Sequence, residues 1–418
     1  MLNFSEWRNW LRSKPLMHKW FIYLVIFRPI IDSFYFVKNI SPFLSPLYIA
    51  AALTAMCSIV ALLLGPRREG HDSIDSKFLI WTLIALINMI FLAISQKYAL
   101  LIIETVLRYT LVFYLYFFLR TFIRSKEDIV RILQTFIYSE IYVAAVFLYE
   151  LFLGPIRVET SRGFDRFVGV FADNFNYSFF IVLVFLSFTF LYLDKDQIRN
   201  NRYYLWLLFI LEIAFLSRIV HIATWGIVAF VFIWFLFSAS IIHRRTFVLL
   251  LIIFSIGYYY IGDIVKKDYV IPLTAGEMDV IRGEKSIERF AHGRMSRWVN
   301  MVPTWMSSSL QAKIIGLPVD MVKKQAYMFS GAVHNDFLRI IFLYGLGGFF
   351  CFLGILISVV RRGLQMPVQD RYLVIGTAVV LALYSLSSNA LLYSQLLYIV
   401  LSVFAFAALP SDVRENAR

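Results

Sequence analysis

Residues 332–348, AVHNDFLRIIFLYGLGG, pass from a polar cluster directly into an apolar run that continues until the basic pair Arg361 and Arg362. The whole chain has 418 residues, of which 60% are hydrophobic and 16% charged, whereas soluble domains contain roughly 25% charged residues. An apolar run of about 20 residues crosses a bilayer as a helix. Because such runs recur along the sequence, we predict an all-α polytopic membrane protein.

The apolar runs predict about twelve transmembrane helices. We place them at residues 20–38, 46–64, 78–95, 99–119, 130–152, 174–193, 203–217, 219–241, 246–262, 336–359, 372–389 and 393–409. Residues 1–262 then hold nine helices, residues 263–335 form one long loop, and residues 336–418 hold the last three. The first 19 residues mix charges with tryptophans, and we expect them to lie at the interface and lead into an uncleaved first span.

Basic residues alternate between the two sides of the predicted membrane. Every second connection carries at least two Lys or Arg residues, which places these connections and both termini in the cytoplasm. The outer connections 153–173 and 263–335 are basic as well, but loops beyond about 60 residues, such as the second, escape this rule. In the long loop, DVIRGEKSIERFA (279–291) and GRMSRWVNM (293–301) have helical spacing and predict short helices over the outer membrane face.

His334 stands at the start of the tenth predicted helix. The unpaired backbone N–H groups and the macrodipole at a helix start disfavour imidazolium, so we expect a neutral imidazole near pH 7. A neutral imidazole can accept a proton as a general base. Asn335 or Asp336 is expected to cap the helix. The alternative is an interfacial histidine that only marks the membrane boundary.

Two arginines in outer segments are candidates for binding an anion. Arg218, in LSRIVHIATWG (216–226), lies near the hydrocarbon edge, where an arginine often marks a functional site. Arg294, in HGRMSRW (292–298), follows Gly293, which interrupts the helical pattern, and its guanidinium fork can bind phosphate with two hydrogen bonds. The alternatives are snorkelling to lipid phosphate for Arg218 and a solvated basic face for Arg294. The neighbouring His221 is interpreted as structural.

The outer segment SRGFDRFVGVFADNFNY (161–177) carries Arg162, Arg166 and Asn176 towards the sixth predicted span. Taken alone, this segment has the composition of an interfacial or re-entrant loop. Its position on the same predicted face as Arg218 and His334 makes it a candidate part of one site.

Two charge pairs lie inside predicted spans. Arg28 and Asp32 are four residues apart, as are Glu104 and Arg108, so each pair can meet on one helix face. Such pairs are either structural clasps or the lining of a polar cavity. The sequence contains no zinc motif, dinucleotide fingerprint, phosphate loop or nucleophile elbow, and it therefore predicts no metal site and no cofactor.

The candidate residues share one predicted membrane face although hydropathy alone placed them there. Several arginines with a neutral base indicate an anionic leaving group, such as a diphosphate, and a hydroxyl acceptor. At the same residues the chain resembles the O-antigen ligase and O-antigen or exopolysaccharide polymerase superfamily.

Four segments carry this resemblance. HNDFLRIIFLYGLGG is similar to the family's His-Asn-x-x-Leu…Gly signature, and GRMSRW followed by IIGLP is similar to Gly-Arg-x-x-x-Trp with its following Gly. LSR is similar to the family's Ser-Arg, and RFVGVFADNFN to Arg-x-x-Gly-x-Phe…Asn. The likeness covers about residues 160–350. The segment FADNFN lacks the Pro-Asn pair of the family.

The resemblance implies a glycosyltransferase C-like fold and an inverting inner-membrane glycosyltransferase that works at the periplasmic face without a metal. The donor would be a glycan on undecaprenyl diphosphate. The acceptor would be another lipid-linked repeat for a polymerase, or the lipid A core for a ligase. Further partners would be membrane lipids and other polysaccharide-assembly proteins, with no nucleic acid.

The resemblance also implies roles for individual residues. Arg218 and Arg294 would bind the diphosphate, and His334 would activate or orient the attacking hydroxyl. The remaining substrate contacts would come from Arg162, Arg166, Arg297, Asn335 and Asn176.

Two other functions compete with glycosyl transfer. A flippase or transporter of lipid-linked oligosaccharide would show repeated halves and broken helices, and no repeat is visible in the sequence. A scaffold protein would use the basic loop only to bind anionic headgroups.

Overall fold

The computed structural model describes residues 4–41, 44–64, 72–95, 99–161, 164–193, 195–219, 221–242, 248, 252, 255, 259–260, 262–263, 266–286, 290–316 and 334–410. The helices with defined bounds are α1 (Phe4–Ser13), α2 (Leu16–Ser33), α3 (Val37–Ile40), α4 (Pro46–Leu64), α5 (Ser73–Ser95), α6 (Ala99–Phe122), α7 (Lys126–Leu153), α8 (Asn174–Tyr192), α9 (Lys195–Ile219), α10 (Ile222–Ile242), α11 (Ile271–Ile281), α12 (Phe290–Met306), α13 (Leu310–Ile315), α14 (Asp336–Leu364), α15 (Val368–Ser387) and α16 (Ser394–Ala407). A π-helix covers Lys266–Val270, and a 3-10 turn covers Ala390–Leu392.

The chain is a nearly all-helical, multi-pass membrane protein. Within the described residues, seven helices are long and apolar enough to cross a membrane, namely α4, α5, α7, α8, α10, α14 and α15. Of the other predicted spans, α2 carries Lys19, Arg28 and Asp32 and extends from Leu16 to Ser33 rather than from residue 20 to 38. Helices α6 and α16 have shorter apolar stretches, and α9 begins with a polar half. Most of the predicted span 246–262 lies outside the described residues.

Helix α8 lies at the centre of the bundle. Its sequence, NFNYSFFIVLVFLSFTFLY, has no polar face, and nearly all of its residues are buried. A helix that is apolar on every side is stable only when it is enclosed by other elements. It packs against α7, α9, α10, α15 and α16. The residues at its first turn are therefore surrounded by the ends of several helices.

Charge pairs join the connections that we predict to be cytoplasmic. Arg362, near the end of α14, forms an ion pair with Asp72, which precedes α5. Lys126 Nζ at the start of α7 lies 2.7 Å from Asp370 Oδ1 in the first turn of α15. The structure thus brings three predicted inner connections to one end of the bundle.

Helix α1 packs on the same end. Trp7 Nε1 donates to Thr135 Oγ1 over 2.8 Å, and Trp10 Nε1 donates to Asp128 Oδ1 over 2.8 Å. Lys14 Nζ also lies 2.5 Å from Asp128 Oδ1. Helix α1 is therefore attached to α7 and leads directly into α2. The uncleaved first span stays a prediction.

Helix α14 is interrupted at Gly345, where φ is 63° and ψ is −168°. A Cβ on Gly345 would collide with the backbone of Ile314 at the end of α13. Asn88 of α5 donates to the Ile315 carbonyl from the other side. Non-helical backbone at this depth is tolerated because protein encloses it. Gly345 thus lets the short helix α13 approach closely, whereas Gly347 and Gly348 also lie against Ile84 and Trp81 of the span α5.

Two local predictions are wrong. The segment 279–291 is not one helix, because α11 ends at Ile281 and Gly283 has φ of 78° in the following turn. Gly293 does not interrupt the helical pattern, since α12 continues through it. The predicted outer segment after α7 also contains an antiparallel hairpin of β1 (Val158–Ser161) and β2 (Phe164–Phe167), which was not predicted from the sequence.

Candidate functional site

The Phe175 ring, in the first turn of α8, is the point where three segments that we predict to be outer meet. The His334 ring stacks on it with centroids 5.6 Å apart, and the His221 ring approaches edge-on at 5.3 Å. Tyr393, before α16, lies 6.5 Å away. Asp173 caps α8 by accepting from the Asn176 backbone N over 2.8 Å, which fixes the helix start that carries Phe175. The structure therefore joins the long loop to the segments before α8, α10 and α16.

His334 lies before α14 with φ of 46°, in the left-handed region. This conformation costs an L-residue about 1–2 kcal/mol. Asn335, 7% exposed, caps α14 by accepting from the Leu338 backbone N over 3.1 Å. The expected capping by this polar cluster is confirmed for Asn335. The cap and the strained backbone together turn the imidazole back over Phe175.

Asp336 is not the cap but an internal anchor. It is fully buried, and its Oδ2 accepts from the Leu391 backbone N over 2.9 Å and from Ser385 Oγ over 3.3 Å. Its Oδ1 lies 2.5 Å from Arg339 Nη2. These contacts fix the start of α14 against the turn between α15 and α16. The anchor holds the adjacent His334 and Asn335 in place.

Arg294 reaches the same turn from the long loop. Its Nη1 donates to the carbonyl of Ser387, the last residue of α15, over 2.7 Å. Arg294 and Asp336 therefore both contact the α15–α16 connection, although they are far apart in sequence. The Ser387 carbonyl oxygen thus holds the guanidinium at the end of α15, close in sequence to Ser385 and Leu391, which bind Asp336.

Arg218 lies in the last turn of α9 and is half-buried. Its electrostatic neighbours include Glu150 of α7 and Tyr177 of α8. His221, three residues later, accepts at Nδ1 from the Thr224 backbone N over 3.3 Å and contacts Phe175. The interpretation of His221 as structural stays a prediction.

The remaining predicted contacts are more dispersed. Arg166 lies on β2 opposite Glu159, and Asn176 is buried in the first turn of α8. Arg162 and the side chain of Arg297 lie outside the described residues, although the Arg297 backbone belongs to α12. The cluster is therefore built around Phe175 and His334, and Arg294 is held at the adjoining end of α15. Arg218 has Glu150 and Tyr177 as its neighbours instead.

Arg157, which the sequence did not single out, attaches the hairpin to this end of the bundle. Its Nη1 donates to the Ala172 carbonyl over 2.6 Å, and its Nη2 lies 3.0 Å from Glu159 Oε1. The guanidinium also stacks 4.4 Å from the Tyr35 ring centroid. These contacts position the segment that leads to Asp173.

Arg28 belongs to the same region and was not predicted as a site residue. It pairs with Asp32 on α2, Nη2 to Oδ1 at 3.0 Å, and donates from Nη1 to Ser394 Oγ over 2.9 Å. Ser394 follows Tyr393, which contacts Phe175. The charge pair is thus a clasp within α2 that also holds the start of α16. The side chains of Glu104 and Arg108 lie outside the described residues.

An open apolar groove of about 450 Å³ runs between α12 and α14. It is lined by Met295, Trp298, Val299, Val302, Phe337, Leu338, Ile341, Phe349 and Asn335. Asn335 is the polar residue of this lining and sits next to His334. The groove therefore begins at the polar cluster and continues as an apolar surface.

The described part of the chain has no group of three or more His, Cys, Asp or Glu residues placed to hold a metal ion. No protein-family model matches this sequence, and no curated protein matches it either.

Proposed function

We propose that this chain is a metal-independent inverting glycosyltransferase of the bacterial inner membrane. It transfers an oligosaccharide or polysaccharide from undecaprenyl diphosphate to a hydroxyl acceptor at the periplasmic face, with both termini in the cytoplasm. The observation that carries the proposal is the convergence of His334, His221 and Tyr393 on Phe175, with Arg294 held at the adjoining turn. The cluster lies at the opposite end of α14 from the charge pair of Arg362.

The proposed reaction is a single displacement at the anomeric carbon. A neutral His334 takes the proton of the acceptor hydroxyl, whose oxygen forms the new bond to that carbon. The bond from the carbon to the diphosphate oxygen breaks, and the diphosphate leaves with the electron pair. Arg294 and Arg218 offset the charge that develops on this leaving group. Attack from the side opposite the diphosphate inverts the configuration.

The groove between α12 and α14 suits the isoprenoid chain of the donor. Its lining is apolar and open, and its polar end is Asn335 beside His334. An amphiphile lying there would place its head near the imidazole and its tail against Trp298 and Phe349. In this proposal Asn335 orients the site through its capping role rather than by chemistry.

The activity test uses purified protein in nanodiscs with a synthetic undecaprenyl-diphosphate oligosaccharide. Mass spectrometry should detect release of undecaprenyl diphosphate together with an elongated glycan, or with a glycan joined to lipid A core when that acceptor is added. Arg294→Ala should lose the product, whereas Arg361→Ala, an exposed arginine at the other end of α14, should keep it. Absence of both products under all conditions contradicts the proposal.

Sidedness is tested by cysteine labelling after Cys57 and Cys351 are replaced by serine. Ser307→Cys, exposed after α12, should react with an impermeant maleimide added from the periplasm. Arg361→Cys should react only after the inner membrane is opened. The reverse pattern would invert the proposed topology.

A second candidate function is transport of a lipid-linked oligosaccharide. The observation that favours it is the break in α14 at Gly345, because transporters often build their sites from interrupted helices. Proteoliposomes separate the two functions. Movement of the intact donor between leaflets without release of undecaprenyl diphosphate supports transport, and release of diphosphate with a new glycosidic bond supports transfer.

A further inference from the structure

Two glutamates face each other in the interior of the bundle, away from the cluster around Phe175. Glu140 on α7 is 1% exposed, and Glu212 on α9 is fully buried. Further along the same two helices, Phe147 and Phe215 pack with ring centroids 4.8 Å apart, which shows that α7 and α9 approach each other here. Both helices flank the central α8.

Among the residues that the structure describes, neither carboxyl group has a partner that compensates a charge. Within the described residues, none of the four carboxyl oxygens of Glu140 and Glu212 accepts a hydrogen bond. Each glutamate is instead the titratable neighbour of the other, within hydrogen-bonding reach once a proton is present. Other buried carboxylates differ, since Asp75 is bound by Arg120 and Asp336 by Arg339.

The groups around the pair do not supply a counter-charge. Tyr177, from the intervening α8, has Glu140, Glu212, Glu150 and Arg218 as its electrostatic neighbours. Arg218 is six residues after Glu212 on α9, about 9 Å along the helix axis. No basic group of the described chain is a neighbour of either glutamate itself. Two adjacent ionised carboxylates in such surroundings would repel each other without compensation.

We propose that Glu140 and Glu212 form a proton-binding site inside the membrane, in which the two carboxyl groups hold at least one proton at neutral pH and titrate as a unit. When one carboxyl group is protonated, its O–H can donate a hydrogen bond to an oxygen of the other, so that both groups gain a hydrogen-bond partner. A metal cation is a poorer occupant, because Ca²⁺ or Mg²⁺ requires about six oxygen ligands.

This proposal is independent of the proposed glycosyl transfer. It follows from the burial and the missing partners of two residues that the proposed reaction does not use. Ionisable residues inside a membrane are uncommon, and they frequently mark sites that bind or relay ions.

Infrared spectroscopy of the full chain in nanodiscs tests the proposal directly. At neutral pH the wild type should show absorption from protonated carboxyl groups that is missing from the Glu140→Gln, Glu212→Gln double variant. A matched control is Asp75→Asn, which should remove carboxylate absorption only, because Asp75 is ion-paired with Arg120. A difference spectrum that contains only carboxylate bands for the glutamate pair overturns the proposal.

Two further measurements keep the test decisive if the double variant does not fold. Each single variant keeps one carboxyl group that faces an amide, so it should fold and shift the frequency of the protonated carboxyl band, because the hydrogen-bond partner has changed. A band that is unchanged in both frequency and intensity in both single variants contradicts the proposal. Addition of Na⁺ or Ca²⁺ should leave the wild-type band unchanged, and loss of the band on adding either cation would assign the site to a metal instead.

Discussion

The rings of Phe175 and His334 stack with centroids 5.6 Å apart and planes inclined by 24°. Phe175 belongs to the central helix α8, whereas His334 lies at the end of the predicted long loop, before α14. The stack therefore fixes a side chain of this loop on a helix that other elements enclose. This relationship makes Phe175 a positioning residue for the proposed base.

Replacing Phe175 by leucine should lower the turnover number by about 10–100-fold, because a displaced imidazole no longer meets the acceptor hydroxyl. The rate is measured as release of undecaprenyl diphosphate under saturating donor. Phe175→Tyr keeps the aromatic face and serves as the control, with activity close to that of the wild type. Wild-type turnover in the leucine variant would show that the stack has no positioning role.

His334→Ala and His334→Gly should both fold and both lose glycan transfer, since neither can accept the proton. The free energy of unfolding of the glycine variant should be about 1 kcal/mol higher than that of the alanine variant, because glycine adopts φ of 46° without strain. Thermal unfolding in detergent measures this difference. Equal stability of the two variants would mean that the left-handed backbone relaxes when the ring is removed. Full activity in the alanine variant contradicts the assignment of the base.

Asp336→Ala should lower the free energy of unfolding by about 3–5 kcal/mol, because it leaves the charge of Arg339 buried without its partner. It also removes the acceptor of the Leu391 N–H. Thermal unfolding compares this variant with Glu127→Ala, which breaks an ion pair whose carboxylate is 57% exposed and should cost at most about 1 kcal/mol. Similar losses in both variants would argue against an internal anchor at Asp336.

Gly345→Ala should prevent normal folding or lower the unfolding temperature strongly. The added Cβ meets the backbone of α13, and φ of 63° is unfavourable for alanine. Gly226→Ala, in a helix with open space around the same position, is the matched control and should be neutral or stabilising. Size-exclusion profiles and thermal unfolding measure both variants. A well-folded Gly345→Ala protein would show that α13 is not held at the break.

Hydropathy was sufficient to locate most helices, because the bilayer requires long apolar segments and the chain supplies them. The apolar sequence of α8 and the basic connections are clear in the sequence, and the structure brings three of the predicted inner connections to one end. The predicted helix bounds were less accurate where charged residues lie within a helix. Helix α2 includes Arg28 and Asp32, which satisfy each other, so the apolar run alone did not mark its ends.

The candidate site depended on long-range contacts that a single sequence does not contain. Asn335 was recognisable as a cap, since its amide precedes a helical run. The role of Asp336 was not, because its partners Ser385 and Leu391 lie about fifty residues later. The facing glutamates, Glu140 and Glu212, are separated by a whole helix in sequence and could not be paired from local patterns.

The charge pairs of Arg362 with Asp72 and of Lys126 with Asp370 clamp one end of the bundle. When helices are held together at one end, the distance between them can change more at the other end than near the ion pairs. The groove between α12 and α14 lies beside Asn335, at the opposite end of α14 from Arg362. In the proposed reaction, a bulky donor lipid can therefore enter this groove without disturbing either charge pair.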